Sequence, residues 1–186
     1  MTIYNLYEIL KEELKNGSSD LVTRPSGQVI RERIERDVEQ EKDGTVVALD
    51  FLNIGVVDYS CADEIVAKLV SRLLSNEYGD KYLMLTGLNE NQRENIEVAL
   101  ERKDLPVMAE MRNGERVLIG NLNNYLKETL ELVEEEDSIT AKYLSEVKKL
   151  GANTSGTRLL NLHKKRLVIR NDEQGEGGRV LVYKRI

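Results

Sequence analysis

The sequence predicts an α/β (α+β) protein, a mixed sheet with helices followed by a small second domain. Three observations predict it. Short apolar runs alternate with helical stripes between residues 45 and 119; helix-period patterns alone fill residues 122–165; and two short strands close the chain. With 186 residues, 40% of them hydrophobic and 32% charged, the chain has material for one domain or two small ones.

Taken in order, Ile3, Leu6, Tyr7, Leu10 and Leu14 stand at helical spacing and predict an amphipathic helix over residues 3–15, stopped by Asn16-Gly17. Residues 1–17 are expected to cover the core or to pair with a second subunit as a homodimer. After a connection, Arg24-Pro25 sets a helix start near Ser26, with Val29, Ile30, Ile34 and Val38 as its buried stripe. Asp43-Gly44 is a turn, and residues 45–51 form a strand apolar enough to be covered on both faces. A helix over residues 61–76 carries Ile65, Val66, Leu69, Val70 and Leu73. A strand over 82–86 ends at Gly87, and a helix over 89–102 turns Ile96, Ala99 and Leu100 inward. Residues 106–111 and 115–119 form a hairpin about Asn113-Gly114.

From there the character changes. Helices are expected over 122–135, 140–149 (ended by Gly151 at C′) and from Asn153 or Thr154 to Lys165. Strands over 167–170 and 179–183 flank a polar, Gly-rich loop. Three helices followed by a hairpin is the element order of a winged helix-turn-helix. The expected domains are therefore 18–120 and 121–186, behind the segment 1–17.

The net charge of −6 conceals a division. Residues 138–186 hold eleven Lys/Arg and four Asp/Glu, netting +7, while the remainder nets −13. Such asymmetry points to a polyanion-binding end. The rest of the composition narrows the chemistry. One cysteine, Cys61, and one histidine, His163, leave no disulfide framework, multi-cysteine metal site or nucleophilic triad. No Gly-rich phosphate cradle follows a strand, so binding is expected rather than catalysis, with no cofactor and no metal. Aromatics at 5% argue against a surface of stacked rings. No long apolar run spans a membrane and no secretion signal opens the chain, so a cytoplasmic location is expected.

In the third of the late helices, Ser155, Leu159 and Leu162 stand at i, i+4 and i+7 and suit the packed stripe, with Leu160 at its edge. Thr154, Thr157, Arg158, Asn161 and Lys165 point outward. Arginine pairs with guanine and asparagine with adenine, while threonine and lysine suit phosphates. Ser155 is counted with these as a DNA-contacting residue, and Arg179, Lys184 and Arg185 would touch the backbone as a wing.

Residues 138–186 resemble the winged helix-turn-helix domains of bacterial and archaeal transcription regulators. The likeness is carried by Ile139-Thr140-Ala141-Lys142-Tyr143-Leu144, by Asn153-Thr154-Ser155-Gly156-Thr157-Arg158-Leu159 and by Leu162-His163-Lys164-Lys165-Arg166-Leu167-Val168. It implies double-stranded DNA as partner. That family usually has glycine, and a left-handed turn, where Arg166 stands. Gly156 inside a recognition helix is unusual and costs about 1 kcal/mol against alanine.

A second resemblance covers residues 18–120. Arg24-Pro25-Ser26-Gly27, the stretch from Leu49 through Asp58-Tyr59-Ser60-Cys61-Ala62-Asp63-Glu64 to Ile65, and Leu83-Met84-Leu85 are similar to STAS domains, the anti-sigma-factor-antagonist fold. The resemblance implies a sensing or protein-interaction domain with a regulatory protein partner. In that family a serine at the helix N-terminus accepts phosphate from a kinase, where helix amides attract the dianion. Its Asp-Ser-Ser-Gly pattern falls on Asp58-Tyr59-Ser60-Cys61, which makes Asp58, Tyr59 and Ser60 a candidate phospho-switch or interaction site. The simpler reading of Ser60 is an N-cap completed by Asp63. Cys61 is either a thiol activated by the helix end or a small packed residue. Two functions follow: a DNA-binding transcriptional regulator with a STAS-like sensing domain, or a protein–protein module of the anti-sigma-factor-antagonist type, switched by phosphorylation.

Overall fold

Strands and helices alternate through the first of two units, Met1–Asn121, and the second, Leu122–Ile186, is mainly helical with a small sheet. The computed structural model describes residues 1–15, 17–175 and 178–186, without the side chain of residue 175. The fold class is mixed α/β, as the sequence pattern predicts.

In the first unit β1 (Thr2–Asn5), β2 (Val46–Asp50), β3 (Tyr82–Leu88) and β4 (Pro106–Met111) lie parallel and in chain order. After the Asn113-Gly114 turn, β5 (Arg116–Gly120) adds antiparallel to β4 at the edge. The crossovers are α1 (Leu6–Leu14), α2 (Arg24–Gln40), then α3 (Tyr59–Ala62) running through a π turn (Asp63–Ala67) into α4 (Lys68–Leu74), and α5 (Glu90–Glu101). Parallel strands laid in chain order place their connecting helices on one face of the sheet when the crossovers are right-handed, as such crossovers are in general. Alternate strand residues Val47, Leu49, Leu83, Leu85, Val107 and Ala109 accordingly share one core with Ile30, Ile34, Ile65, Leu69, Ile96 and Leu100 of the helices.

In this unit three elements differ from the sequence pattern. Residues 2–5 are a strand, with Ile3 opposite Ala48, and Asn5 then caps α1 by accepting from the Glu8 amide. The segment is thus part of the sheet, and Ile3, which fits a helical stripe on paper, is exposed on an edge strand. The second helix begins at Arg24, capped by Thr23, and Val29 faces outward. The third begins at Tyr59, two residues early, because Asp58 supplies the cap.

The second unit runs α6 (Asn124–Glu136), β6 (Ser138–Thr140), α7 (Ala141–Lys148), α8 (Ala152–Lys164), β7 (Val168–Gly175) and β8 (Gly178–Arg185). Its antiparallel sheet has the order β6-β8-β7. The brief β6, which escaped the sequence reading, sets Ile139 opposite Tyr183. Lys149, at φ +53°, ends α7 in the left-handed region, and Gly151 instead serves as the N-cap of α8. Arg166 takes φ +59° without being glycine. Residues 171–175 continue the strand rather than forming a loop, with Gly175 paired to Gly178; residues 176 and 177 of that expected loop lie outside the described residues. Counted with α6, the unit holds twelve Lys/Arg and ten Asp/Glu, a net of +2, because α6 and its end carry six acids.

Candidate nucleic-acid interface

Helix α8 separates two faces. Leu159 and Leu162 pack inward, and so does Ser155, which is fully buried with no partner for its hydroxyl. Ser155 therefore belongs to the core stripe and not with the residues expected to contact DNA: spacing i, i+4, i+7 with two leucines overrides its polarity. On the opposite side an open depression of about 410 Å³ is lined by Tyr125, Asn153, Thr154, Thr157, Arg158 and Asn161. It gathers four of the expected contact residues and adds two. Asn153 lies in the first turn of α8; Tyr125 comes from the start of α6.

The polar groups are not equally available. The Thr157 hydroxyl donates to the Asn153 carbonyl at 2.8 Å, so it is committed to its own helix. The Arg158 guanidinium lies 5.2 Å from the centre of the Tyr125 ring and donates through Nη1 to the Tyr125 carbonyl at 3.4 Å. Lys165 caps the far end of α8, away from the depression. A Cβ at Gly156 would meet nothing within 4 Å, so no packing demand explains that glycine.

Each of the three expected wing bases stands beside an acid. Lys184 pairs with Glu173 at 2.7 Å, Arg185 with Asp137 at 2.7 Å, and Arg179, the most exposed, approaches Asp172 at 3.7 Å. Exposed pairs of this kind are worth about 0–1 kcal/mol and exchange readily for a phosphate, yet they lower the positive potential of the hairpin.

No protein-family model matches the chain, and no curated protein or solved structure is significantly similar to it.

The second candidate site sits at the start of α3. Asp58 Oδ1 accepts from the Cys61 amide at 2.7 Å and from the Ser60 hydroxyl at 2.9 Å, while Oδ2 accepts from the Thr23 amide at 3.3 Å. Asp58, not Ser60, is thus the cap, and Asp63 completes no capping box because it pairs elsewhere. Burial pushes the Asp58 carboxyl up, but these three hydrogen bonds outweigh it and hold the group below its ordinary range. Tyr59 carries the Arg102 guanidinium 4.7 Å above its ring and accepts from Arg102 Nη1 at 3.3 Å. Cys61 is buried and donates to the Thr23 carbonyl; burial, then the Asp58 charge, push its thiol up to about 12. It is the packed residue, not the activated one.

Sequence reasoning missed what surrounds this point. Glu64, only 2% exposed, accepts from Arg24 at 3.1 Å, Arg31 at 3.2 Å and Lys68 at 2.6 Å. Asp63 holds Arg24 at 2.9 Å and Lys103 at 2.6 Å, and Glu35 holds Arg72 and the Tyr78 hydroxyl at 2.6 and 2.7 Å. Gly27 permits this packing, since a Cβ there would lie 3.0 Å from Glu64 Cβ and 3.2 Å from Cys61 Cα. The signal in the sequence is slight: Arg31 and Glu35 at i, i+4 beside the apolar stripe. Among the described residues no group of three His, Cys, Asp or Glu is placed to hold a metal ion, and no helix is long and apolar enough to cross a membrane.

Proposed function

We propose that the chain is a DNA-binding regulator of the cytoplasm. Its second unit acts as a winged helix-turn-helix with α8 in the major groove, and its first unit is a STAS-like domain that senses a partner. The observation that carries this reading is the convergence of Thr154, Thr157, Arg158 and Asn161 on one open face of α8, opposite its packed stripe. Two features support it: the order α7, α8, hairpin, and the left-handed turn at Arg166 where the resembled family has glycine. With a unit net charge of only +2 and acids beside the wing, the α8 face supplies most of the affinity. A gel-shift titration of the full chain on mixed-sequence duplex DNA across salt concentrations tests it. On a duplex recovered from a randomised pool with the wild-type chain, Arg158→Ala is expected to raise Kd about tenfold or more, and Arg170→Ala, on the exposed outer strand, no more than about threefold. Absence of salt-dependent affinity refutes the reading.

A protein-interaction function is favoured by a different observation. Leu52 and Val56 are exposed on the segment after β2, which Gln92 and Arg112 pin by donating to the carbonyls of Ile54, Gly55 and Leu52. A rigid tip with apolar side chains suits a regulatory protein partner. A kinase acting nearby would find Ser60 already bound to Asp58, where a phosphate would meet a carboxylate, whereas the Tyr59 hydroxyl faces Arg102.

A further inference from the structure

We propose that Tyr125, on α6 and outside the helix that faces the groove, sets the direction of Arg158 and through it the base preference of the site. This role rests on the reading of α8 as the DNA-contacting helix.

Tyr125 is not spent on the core. The buried positions of α6 are Leu126, Thr129, Leu130, Leu132 and Val133, whereas Tyr125 is 43% exposed and lines the depression. It meets Arg158 of α8 at two points, the ring face and the backbone carbonyl. An unrestrained arginine has several torsions to freeze before its planar fork can meet guanine O6 and N7 edge-on. The ring contact and the Nη1 bond together remove part of that freedom by holding the guanidinium beside Tyr125, and they engage a donor on Nη1 while the other N–H groups remain for a base edge. That single bond is long, and its acceptor already receives the Thr129 hydroxyl at 2.8 Å, so a base edge can displace it.

Arg158 and Asn161 are one helical turn apart and line the same depression. The preferred duplex therefore contains a guanine, read by Arg158, within about two base pairs of an adenine read by Asn161. Loss of the Tyr125 ring removes the orientation of Arg158 and leaves its charge. Discrimination should fall while the electrostatic part of binding stays.

The test begins by selecting duplexes of about 20 base pairs from a randomised pool with the full wild-type chain. Anisotropy then compares the recovered duplex with one in which its guanine–cytosine pairs are replaced. Tyr125→Ala is expected to weaken the recovered duplex about three- to tenfold and the replaced one less than about twofold. The slope of log Kd against log salt should not move. Tyr125→Phe restores discrimination, and Tyr125→Ala adds nothing in an Arg158→Ala background. A reading independent of DNA accompanies these: the Arg158 Nε–Hε heteronuclear NOE in the free protein drops in Tyr125→Leu and not in Tyr125→Phe. Wild-type discrimination by Tyr125→Ala, an equal loss in the Arg158→Ala background, or an unchanged NOE in Tyr125→Leu overturns the role of Tyr125 alone. A wild-type chain that retains no duplex at any salt concentration overturns the DNA reading, and this role with it.

Discussion

Glu64→Gln isolates the charge at the centre of the buried network without changing the shape of the side chain. Of its three cationic partners, Arg24 and Lys68 are 49% and 37% exposed and can turn to water at little cost. Arg31, at 6% exposure, cannot, and after the substitution it keeps Glu35 as its buried acid. Breaking a buried ion pair from one side costs about 3–5 kcal/mol. The retained Glu35 and the accepting oxygen of glutamine place this case at the low end, near 3 kcal/mol. For a unit of this size that lowers the midpoint of thermal unfolding by about 12 °C. Calorimetry and urea unfolding of the full chain, followed by circular dichroism, read the change in the transition of the first unit. Glu32→Gln is the control, because Glu32 is exposed and 3.8 Å from Arg31, and it should shift stability by less than about 0.5 kcal/mol. In the double variant Arg31→Met with Glu64→Leu, much of the loss should return, since no buried charge is then left without its partner. If Glu64→Gln behaves like Glu32→Gln, the carboxylate is not desolvated among these helices and the account of the α2–π-turn packing fails.

Acid should act on the same groups. Burial pushes the carboxyls of Asp63 and Glu64 up, but hydrogen bonds and charge from Lys103 and Arg24, and from Lys68 and Arg31, hold both below their ordinary range, as the cap bonds do for Asp58. A lowered folded-state pKa contributes stability above the ordinary carboxylate value and loses it as pH falls through the folded one. Thermal midpoints should therefore stay level down to about pH 5 and decline below about pH 4; a midpoint that rises on acidification contradicts this. Cys61, buried with its thiol pushed up to about 12, should react with iodoacetamide at pH 8 only at the rate at which the unit opens. Labelling as fast as that of a free thiol contradicts its placement. Ser155→Ala removes an unpartnered buried hydroxyl, so it should leave stability unchanged or raise it by up to about 1 kcal/mol, with DNA affinity unaltered. A marked loss of DNA affinity with stability intact would return Ser155 to the contact face.

The parts of the fold that periodicity controls were legible. The near-continuous apolar runs around Ala48, Met84 and Met108 became parallel strands, and Asn113-Gly114 made its hairpin turn. Shorter signals failed for local reasons. Four residues of strand at β1 cannot be told from the first turn of a helix, because Ile3 and Leu6 satisfy the helical spacing whichever way the chain runs. Asp58 and Ser60 compete for one cap, and Asp58 takes it while also accepting from the Thr23 amide, thirty-five residues away in sequence. The open polar face of α8 followed from its leucine stripe, which leaves Thr154, Thr157, Arg158 and Asn161 on the other side. Tyr125 did not follow, because α6 alone offers no hint that α8 crosses its first turn. The charge division also looked sharper in sequence than in space. Cutting at residue 138 gave +7 by assigning the acids of α6 to the other part, although α6 packs on α8 within one unit.

Titration of the isotope-labelled full chain with duplex DNA, read by amide chemical shifts, addresses the central claim most directly. Residues 153–161 on α8 and Tyr125 on α6 should shift together, saturably, and return toward their free positions as salt is raised. Shifts confined to residues 52–57 and α5, or no shifts along α8, would contradict the assignment of this face to DNA.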